Sequence, residues 1–322
     1  MPAMASVAAV VLAAGEGKRL CTRRAKVLHE VGGRALLDHV LASVAALRPD
    51  PLVVVVGYLR EQVEAHLAGQ ALLAVQEPPR GTGDAVTCAL PLLPRQGEVL
   101  VISGDAPLVT AATLWSLVEL HRERTAALVL ATAILPDPAG YGRIIRDTSG
   151  AVTAIVEARD AGPEQLEIRE VNAGTYLFDL EALSSALRQV APDNDQGEYY
   201  LTDVVKVLVS GGQRVDGLVL DDPADMAGVN TRADLAEVNR LLNERLIRRL
   251  LASGVTVLDP ATTWVDSNCS VGADTVLEPG VHLRRGCVIG RGCRLGAHTV
   301  LDHVTLADSG SVPPLTYRRD ES

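Results

Sequence analysis

The chain has 322 residues, and this length predicts two domains of about 150 residues each. Its 30 Lys and Arg against 40 Asp and Glu give a net charge of −10, which excludes the basic surface of a nucleic-acid-binding protein. Hydrophobic residues make up 48% of the chain, enough for a sizeable core, whereas aromatic residues make up only 3%, too few for base-stacking platforms.

The apolar run from Ala3 to Ala14 is shorter than the roughly 18 residues that a membrane span needs. Lys18 and Arg19 follow this run instead of preceding it, which is the reverse of a signal peptide. We therefore expect a buried first strand here, and a cytoplasmic protein with no membrane partner.

Before residue 253, short apolar runs alternate with helical patterns. The runs typical of buried strands are Ser6–Ala13, Pro51–Val56, Glu98–Ile102 and Ala127–Ile134. The segments with apolar residues at helical spacing are Ala35–Ala46, Arg60–Ala68, Gly83–Leu90 and Ala111–Arg124. This alternation predicts an α/β domain with a mainly parallel sheet covered on both faces. Ligands of such sheets bind beyond the carboxyl ends of the strands, so we expect the site there.

A long amphipathic pattern runs from Asn230 to Leu251 and predicts one helix, with Gly254 after its end. We expect this helix, over residues 230–252, to connect a first domain of residues 1–229 with a second of residues 253–322.

The residues after 253 repeat with a period of six. The aliphatic positions of the repeat are Val265, Val271, Leu277, Leu283, Ile289, Leu295 and Leu301. Four places after each stands a small or β-branched residue: Cys269, Thr275, Val281, Cys287, Cys293, Thr299 and Thr305. This period is typical of a parallel β-helix. Because three of the five cysteines occupy the small-residue position, we interpret them as packing residues and not as metal ligands.

The first strand leads into a glycine-rich turn within residues 12–20. Gly15 and Gly17 allow the backbone to turn tightly and to present N–H groups to an anion. Three basic residues lie on or near this turn of an acidic protein: Lys18, Arg19 and Lys26. Concentrated positive charge favours a polyphosphate ligand. Neither the P-loop nor the dinucleotide motif is complete, so from these residues alone phosphate binding is a hypothesis.

Further motifs follow in order along the chain. They are Lys26-Val-Leu-His29, Gln76 with Gly81-Thr82-Gly83, Ser103-Gly-Asp-Ala-Pro-Leu108, Gly140-Tyr-Gly-Arg-Ile144, Ile155-Val-Glu157, Val171-Asn-Ala-Gly174, Glu198-Tyr-Tyr-Leu-Thr-Asp203 and Gly228-Val-Asn230. Together with the glycine-rich turn and the hexad tail, they resemble the bacterial bifunctional N-acetylglucosamine-1-phosphate uridyltransferase/glucosamine-1-phosphate acetyltransferase family over nearly the whole chain. The resemblance implies a Rossmann-like nucleotidyltransferase domain followed by a short left-handed parallel β-helix.

The reaction that the resemblance implies is uridylyl transfer. N-acetylglucosamine 1-phosphate would attack the α-phosphorus of UTP and form UDP-N-acetylglucosamine and pyrophosphate. Because the attacking phosphate is already ionised at neutral pH, the reaction needs positioning and charge neutralisation more than a general base. The resemblance assigns catalysis to Arg19, Lys26 and Asp105. It assigns Mg²⁺ to Asp105 and Asn230, an oxygen pair that suits a hard cation.

The resemblance also assigns the substrate contacts. Gln76, Gly81 and Thr82 would bind the uracil, and Gly142, Glu157 and Asn172 the sugar. The other implied contacts are Leu12, Ala13, Ala14, Gly15, Lys26, Ser103, Gly104, Asp105 and Asn230. Without the resemblance, Asp105 could equally be a turn residue and residues 77–81 an ordinary loop. Three residues depart from the family pattern, which leaves phosphate-loop geometry and sugar preference open: Lys18, Ala25 and Ala173.

The second activity of this family uses a long β-helix in a trimer. Here the hexads from Val265 to Leu306 predict about two and one third turns, and Pro313-Pro314 should interrupt the ladder because proline lacks an N–H. We therefore expect uridylyl transfer without acetyl transfer, and self-association weaker than the trimer of the family. We expect three histidines of the tail at the surface: His282, His298 and His303. Two alternatives remain open: an enzyme for another sugar phosphate or nucleotide, and a non-catalytic subunit.

Overall fold

The computed structural model describes residues 7–138, 140–194 and 196–320. Ser6, where the first strand was expected to begin, lies outside the described residues, as do Ala3 and the two ends of the predicted domains. The described residues form two units. The first unit contains residues 7–28 and 36–231, and the second contains residues 29–35 and 232–320. The short segment 29–35 belongs to the second unit although it lies near the start of the chain, which the sequence did not reveal.

The strands up to residue 219 are β1 (Val7–Ala13), β2 (Glu30–Val31), β3 (Arg34–Ala35), β4 (Leu52–Val56), β5 (Leu72–Val75), β6 (Glu98–Ser103), β7 (Leu128–Ile134), β8 (Arg143–Arg146), β9 (Val152–Val156), β10 (Glu170–Asp179) and β11 (Val215–Val219). The helices are α1 (Leu36–Ala45), α2 (Arg60–Leu67), α3 (Thr82–Ala89), α4 (Ala111–Arg124), α5 (Pro163–Leu166), α6 (Leu180–Leu187), α7 (Asp203–Ser210) and α8 (Arg232–Ala252). Among the described residues, no helix is both long enough and apolar enough to cross a bilayer.

One mainly parallel sheet forms the centre of the first unit, as predicted. Its main path has the order β11-β7-β10-β6-β1-β4-β5, with β8 and β9 extending from β10. β1 and β4 are buried along almost their whole length, as continuous aliphatic runs inside an α/β fold are. β10 runs antiparallel to both β6 and β7, and the sequence did not predict it.

This topology brings chain segments from distant parts of the sequence to one edge. β1, β4, β5 and β6 pair in parallel, so their carboxyl ends meet at the same edge of the sheet. Because β10 is antiparallel, its first residues lie at this edge too. The pairing of β10 with β7 shifts register between Asn172 and Tyr176, and Gly174 within this bulge has φ +72°. A bulge of this kind at the rim of a sheet re-aims neighbouring side chains.

The second unit contains α8, which confirms the helix predicted from Asn230, and a parallel β-helix. Its strands are β12 (Thr256–Val257), β13 (Trp264–Val265), β14 (Ser270–Val271), β15 (Val276–Leu277), β16 (His282–Arg284), β17 (Val288–Ile289), β18 (Arg294–Leu295), β19 (Val300–Asp302), β20 (Thr305–Leu306), β21 (Ser311–Val312) and β22 (Tyr317–Arg319). Every third strand pairs in parallel, which gives three sheets around one core. The hexad prediction of this architecture is confirmed.

The number of turns was predicted too small. The strands from β12 to β22 make three coils and two strands of a fourth, instead of about two and one third turns. Pro313-Pro314 does not interrupt the ladder, because the two prolines lie in the turn between β21 and β22, where no N–H of theirs is needed. Tyr317 pairs with Val300 beyond them, and the Val300 N–H donates to the Thr316 carbonyl at 2.8 Å.

The small-residue positions of the repeat are filled as predicted except at the last one. Cys287 and Cys293 are buried, and Cys269 is half-buried. Val304 is buried at the last position, and the predicted Thr305 is exposed instead, because the paired strands there are 17 residues apart and no longer 18. His298 and His303 are exposed as expected, whereas His282 is half-buried.

Candidate active site

A cleft of about 630 Å³ lies at the carboxyl ends of β1, β5 and β6. This volume is within the range of small-molecule sites. Most of the residues predicted for the site line it: Leu12, Ala13, Ala14, Gly15, Lys26, Gln76, Gly81, Thr82, Ser103, Asp105, Glu157, Asn172 and Asn230. The sheet edge predicted from the strand–helix alternation is therefore where the structure brings these residues together.

Arg19 does not line the cleft. It lies in a neighbouring depression of about 200 Å³, formed with the glycine-rich turn at residues 16–18. Lys26 and Asn230 line both the cleft and this depression, so the two hollows meet at these side chains. Gly17 is in the left-handed region with φ +61°, and a Cβ there would lie 3.0 Å from Cβ of Lys26. The turn therefore needs glycine at this position for the lysine stem to pass.

Two predicted glycines also lie outside the cleft lining. The Gly104 N–H donates to the Leu12 carbonyl at 2.8 Å, and a Cβ at this position would lie 3.1 Å from the same oxygen. A Cβ on Gly142 would lie 3.0 Å from Cγ2 of Ile155 and 3.4 Å from Oε2 of Glu157. These glycines allow close packing beneath the site and do not themselves face it.

A lysine and two oxygen-bearing side chains meet at the point shared by the two hollows. Nζ of Lys26 forms an ion pair with Asp105 and donates a hydrogen bond to Oδ1 of Asn230 at 3.2 Å. The Ser103 hydroxyl donates to the other Asp105 oxygen at 2.5 Å, and the Val229 N–H donates to the Asp105 carbonyl at 3.0 Å. Asp105 is only 6% exposed, so its charge acts where water screens it little.

The same oxygen pair fits a divalent cation. A carboxylate and a carboxamide oxygen are ligands that Mg²⁺ takes from proteins, and here the ammonium group of Lys26 acts as a stand-in cation between them. Within the described residues, no group of three or more His, Cys, Asp or Glu side chains is gathered for a metal ion. Such a pair would therefore hold Mg²⁺ together with water and phosphate oxygens, as Mg²⁺ sites commonly do.

Gln76 follows β5 and is buried at the cleft with its amide orientation fixed. Its Nε2 donates to the Gly81 carbonyl and to Oδ2 of Asp84, both at 2.9 Å. Since both of these partners are acceptors, the amide nitrogen must face them. The Oε1 acceptor is then the part of the side chain that a ligand can use.

The segment 198–202 closes around the turn that contains Gly81. The Tyr199 N–H donates to the Arg80 carbonyl at 2.8 Å, and the Gly83 N–H donates to the Tyr199 carbonyl at 2.7 Å. The Thr82 hydroxyl accepts the Leu201 N–H at 3.0 Å. Gly81 has φ +104°, and a Cβ there would lie 2.5 Å from the Tyr199 carbonyl oxygen. This turn therefore admits only glycine.

Glu157 and Asn172 lie on the other elements that line the cleft. The Thr202 hydroxyl donates to Oε1 of Glu157 at 3.1 Å. Burial raises the pKa of Glu157 above its ordinary value, the Thr202 hydrogen bond opposes this, and the charges of Asp160 and Asp203 raise it further. Asn172 donates from Nδ2 to the Tyr176 hydroxyl at 2.6 Å and accepts the Gly174 N–H at 3.1 Å. The bulge in β10 thus fixes the Asn172 amide.

Several residues that line the cleft were not predicted from the sequence: Pro79, Tyr141, Arg159, Gln196, Glu198, Tyr200, Thr202 and Met226. The motif Glu198-Tyr-Tyr-Leu-Thr-Asp203 was the available signal, because it belonged to the resemblance but received no role. Nothing in its composition indicates that it packs against a turn more than 100 residues earlier.

The chain matches two family models, and single relatives match it over nearly its whole length. Residues 9–166 match the family model of the MobA-like NTP transferase domain, and residues 268–303 match the model of the bacterial transferase hexapeptide (six repeats). The Bifunctional protein GlmU of Streptomyces coelicolor is 46% identical over 341 residues, which cover 99% of this chain and 71% of that relative. The chain belongs to the GlmU family. The resemblance inferred from the ordered motifs is therefore confirmed.

Other GlmU proteins match the chain over nearly all of its length. The Bifunctional protein GlmU of Thermobifida fusca is 49% identical over 94% of this chain, and that of Mycobacterium tuberculosis is 46% identical over 95%. The chain spans about 64% of the length of the Thermobifida fusca protein and 63% of the length of the Mycobacterium tuberculosis protein.

Proposed function

We propose that this chain is a Mg²⁺-dependent UTP:N-acetylglucosamine-1-phosphate uridylyltransferase. The observation that carries the proposal is the meeting of Lys26, Asp105 and Asn230 where the cleft and the depression beside Arg19 join. Such a point can hold a triphosphate by its cations and a divalent cation by its oxygens. Membership of the GlmU family supports the same reaction class.

The nucleotide would be selected through Gln76. Because both amide hydrogens donate within the protein, Oε1 is the group that can accept the N3–H of uracil. Cytosine has an acceptor at this position, so its binding would bring two acceptors together and leave both without a donor. That mismatch costs about 1–3 kcal/mol for a buried polar pair. The pocket therefore favours uridine over cytidine nucleotides.

The reaction forms a bond from a phosphate oxygen of the sugar 1-phosphate to the α-phosphorus of UTP. The bond from that phosphorus to the bridging oxygen breaks, and pyrophosphate leaves with the electron pair. Arg19 and Lys26 would neutralise the triphosphate, and Glu157 and Asn172 would orient the sugar through its hydroxyl and acetamido groups. When bound by Asp105 and Asn230, Mg²⁺ would supply charge neutralisation at the phosphates. No side chain has to remove a proton, because the nucleophile is already an anion.

Asp105→Asn tests the proposal directly. The variant keeps the shape of the side chain but removes the charge, so we expect kcat/KM for pyrophosphate release from UTP and N-acetylglucosamine 1-phosphate to fall by about 1000-fold. Far-ultraviolet circular dichroism should be unchanged. Asp147→Asn is the matched control, since Asp147 is an exposed turn residue that hydrogen-bonds Ser149. Wild-type turnover of Asp105→Asn with an unchanged Mg²⁺ requirement would contradict the assignment.

The choice of sugar and nucleotide is part of the proposal. A panel of UTP, dTTP, ATP and GTP with several sugar 1-phosphates should show pyrophosphate release fastest for UTP with N-acetylglucosamine 1-phosphate. Release that is faster with another pair would assign the chain to a different substrate. No release with any pair, under conditions where the protein is folded, would favour the non-catalytic subunit.

For the polypeptide of this sequence we also predict no acetyl transfer. The resemblance assigns that activity to a long β-helix, whereas residues 256–319 form three coils and two further strands. Incubation with acetyl-CoA and glucosamine 1-phosphate should release no free CoA thiol, and thiol release by the purified chain would contradict this prediction. Self-association weaker than the trimer of the family stays a prediction.

A further inference from the structure

The Lys26 ammonium group contacts both of the oxygens that suit a divalent cation. It contacts the Asp105 carboxylate and Oδ1 of Asn230 at the same time. The Lys26 and Asp105 side chains are only 15% and 9% exposed, so their charges interact in a poorly screened place. A divalent cation bound to the same two oxygens would stand beside the ammonium group and repel it. The ammonium group and the divalent cation therefore cannot contact this oxygen pair at the same time.

The aliphatic stem of Lys26 packs against the glycine-rich turn, whereas its ammonium group could contact a second partner. Gly15 and Gly17 leave the stem room, since a Cβ on Gly17 would lie 3.0 Å from Cβ of Lys26 and one on Gly15 would lie 3.8 Å from Cε. Lys26 lines both the cleft and the depression that contains Arg19. An anionic phosphate chain in that depression would offer Lys26 a new partner without moving the backbone.

We propose that Lys26 and the divalent cation exclude one another at Asp105 and Asn230, and that a polyphosphate releases the site by drawing Lys26 away. Metal binding is then weak in the nucleotide-free protein and strong once the nucleotide is present. By reciprocity, the metal strengthens nucleotide binding by the same factor. Lys26 thus couples metal binding to nucleotide binding. This inference rests on the proposed function only in taking the anion to be a nucleotide.

The test measures Mn²⁺ binding to the nucleotide-free protein. Binding is monitored through the loss of the electron paramagnetic resonance signal of free Mn²⁺. Lys26→Met removes the competing ammonium group, and we expect Mn²⁺ affinity to rise by about 10-fold. Lys26→Gln, which keeps a hydrogen-bond donor but no charge, should show a similar gain. In Lys26→Met carrying Asp105→Asn as well, the gain should be lost.

Lys18→Met is the matched control for a general change of charge. Lys18 lies in the same depression but pairs with Glu16 at 2.6 Å, and its side chain is 84% exposed. We expect its removal to change Mn²⁺ affinity by less than about 3-fold, because salt screens an exposed charge. An equal gain in Lys18→Met, a gain that survives Asp105→Asn, or no gain in either Lys26 variant would each overturn the proposal.

The Mn²⁺ readout needs no turnover, so the two proposals fail separately. A protein that shows the Mn²⁺ gain but no pyrophosphate release contradicts the proposed reaction and leaves the exclusion intact. A protein that turns over UTP but shows no Mn²⁺ gain keeps the reaction and rejects the exclusion. Without nucleotide, Lys26→Met should bind Mn²⁺ more tightly than the wild type and Lys18→Met do. Adding UTP should reduce this difference in Mn²⁺ affinity, because the nucleotide then draws Lys26 away from the oxygen pair.

Discussion

The β-helix and the substrate cleft differ in how far apart along the chain their contacting residues are. In the β-helix, Leu277 pairs with Leu295, 18 residues later, and the other paired strands are 17 to 20 residues apart. In the cleft, Lys26 contacts Asn230, which lies 204 residues away. A repeat stores its stability in many equivalent positions that the sequence displays as a period. A cleft depends on single residues that share no period, so its weak points have to be found in the structure.

The largest expected effect on stability concerns the interior of the repeat. Leu295 is fully buried between Leu277 and Val312 of the neighbouring coils. Leu295→Ala leaves a cavity there, and we expect the free energy of unfolding to fall by about 3 kcal/mol. Urea denaturation followed by circular dichroism measures this loss.

The control for this prediction is Leu258→Ala. Leu258 lies next to β12 and is 56% exposed, so the same substitution should cost less than about 0.5 kcal/mol. Equal losses in the two variants would mean that the stability of the coils does not reside in the interior positions that the period identifies.

The period also explains which coils the sequence revealed. The hexads from Val265 to Leu301 keep six-residue spacing, and all of them were found. Val257 precedes Val265 by eight residues, and Leu306 follows Leu301 by only five. Corner loops of different length leave the inward-facing side chains in place, because the strands still stack. The numerical period is lost there although the structure continues, so the first and last strands escaped the prediction.

A similar reason separates the predicted strands of the first unit from the missed ones. β1, β4 and β6 are continuous aliphatic runs at the centre of the sheet, and composition alone identifies them. β5 is an edge strand whose Leu72 and Val75 are exposed, and its apolar run of residues 71–75 is too short to be distinguished from part of a helix by its pattern alone. β10 is interrupted by the bulge around Gly174, which looks like a loop in the sequence.

In the cleft, a glycine without any period should have the next largest effect. Gly81→Ala places a Cβ 2.5 Å from the Tyr199 carbonyl at a φ of +104°, so the turn that holds Gln76 has to shift. A displacement of about 1 Å in a binding site can cost about 100-fold in rate, and we expect kcat/KM for UTP to fall by this factor. Steady-state kinetics of pyrophosphate release measures it.

Gly97→Ala is the matched control for backbone strain. Gly97 has a similar φ of +116°, but a Cβ there would meet nothing within 4 Å. It should lose stability through strain of about 1 kcal/mol and keep its UTP kinetics. If Gly97→Ala lowered kcat/KM as much as Gly81→Ala, strain and not the contact with Tyr199 would explain the loss.

The ordered motifs predicted which side chains form the site, but not the contacts between them. Lys26, Asp105 and Asn230 were named from the resemblance, and the structure brings them into contact. The sequence could not show that Lys26 occupies the oxygen pair, because nothing in a motif gives the distance between two of its members. It also could not show that Thr202 holds Glu157, since those residues belong to different motifs.

The smallest predicted effect tests that last contact. Thr202→Val keeps the volume of a buried side chain and removes the hydroxyl that donates to Glu157. Burial already raises the pKa of Glu157, and the loss of this hydrogen bond should raise it further, because the Thr202 hydroxyl stabilises the ionised carboxylate. An ionised Glu157 is the form that accepts hydrogen bonds from a sugar hydroxyl, so KM for the sugar 1-phosphate should rise as pH falls through the Glu157 pKa. In Thr202→Val this rise should begin at a higher pH, while KM for UTP stays unchanged.

Stability gives a second readout of the same pKa. A carboxyl group whose pKa is higher in the folded than in the unfolded protein contributes stability that is fully present below the unfolded pKa and is lost as pH rises through the folded pKa. The free energy of unfolding of Thr202→Val should therefore fall more steeply than that of the wild type as pH rises above the ordinary carboxyl range. Thr153→Val is the control. Thr153 lies on β9, the strand that ends just before Glu157, and its hydroxyl donates to the Ile145 carbonyl. This variant should shift neither profile. Identical pH profiles of KM and of stability in Thr202→Val and wild type would show that the Thr202 hydroxyl does not tune the Glu157 carboxylate.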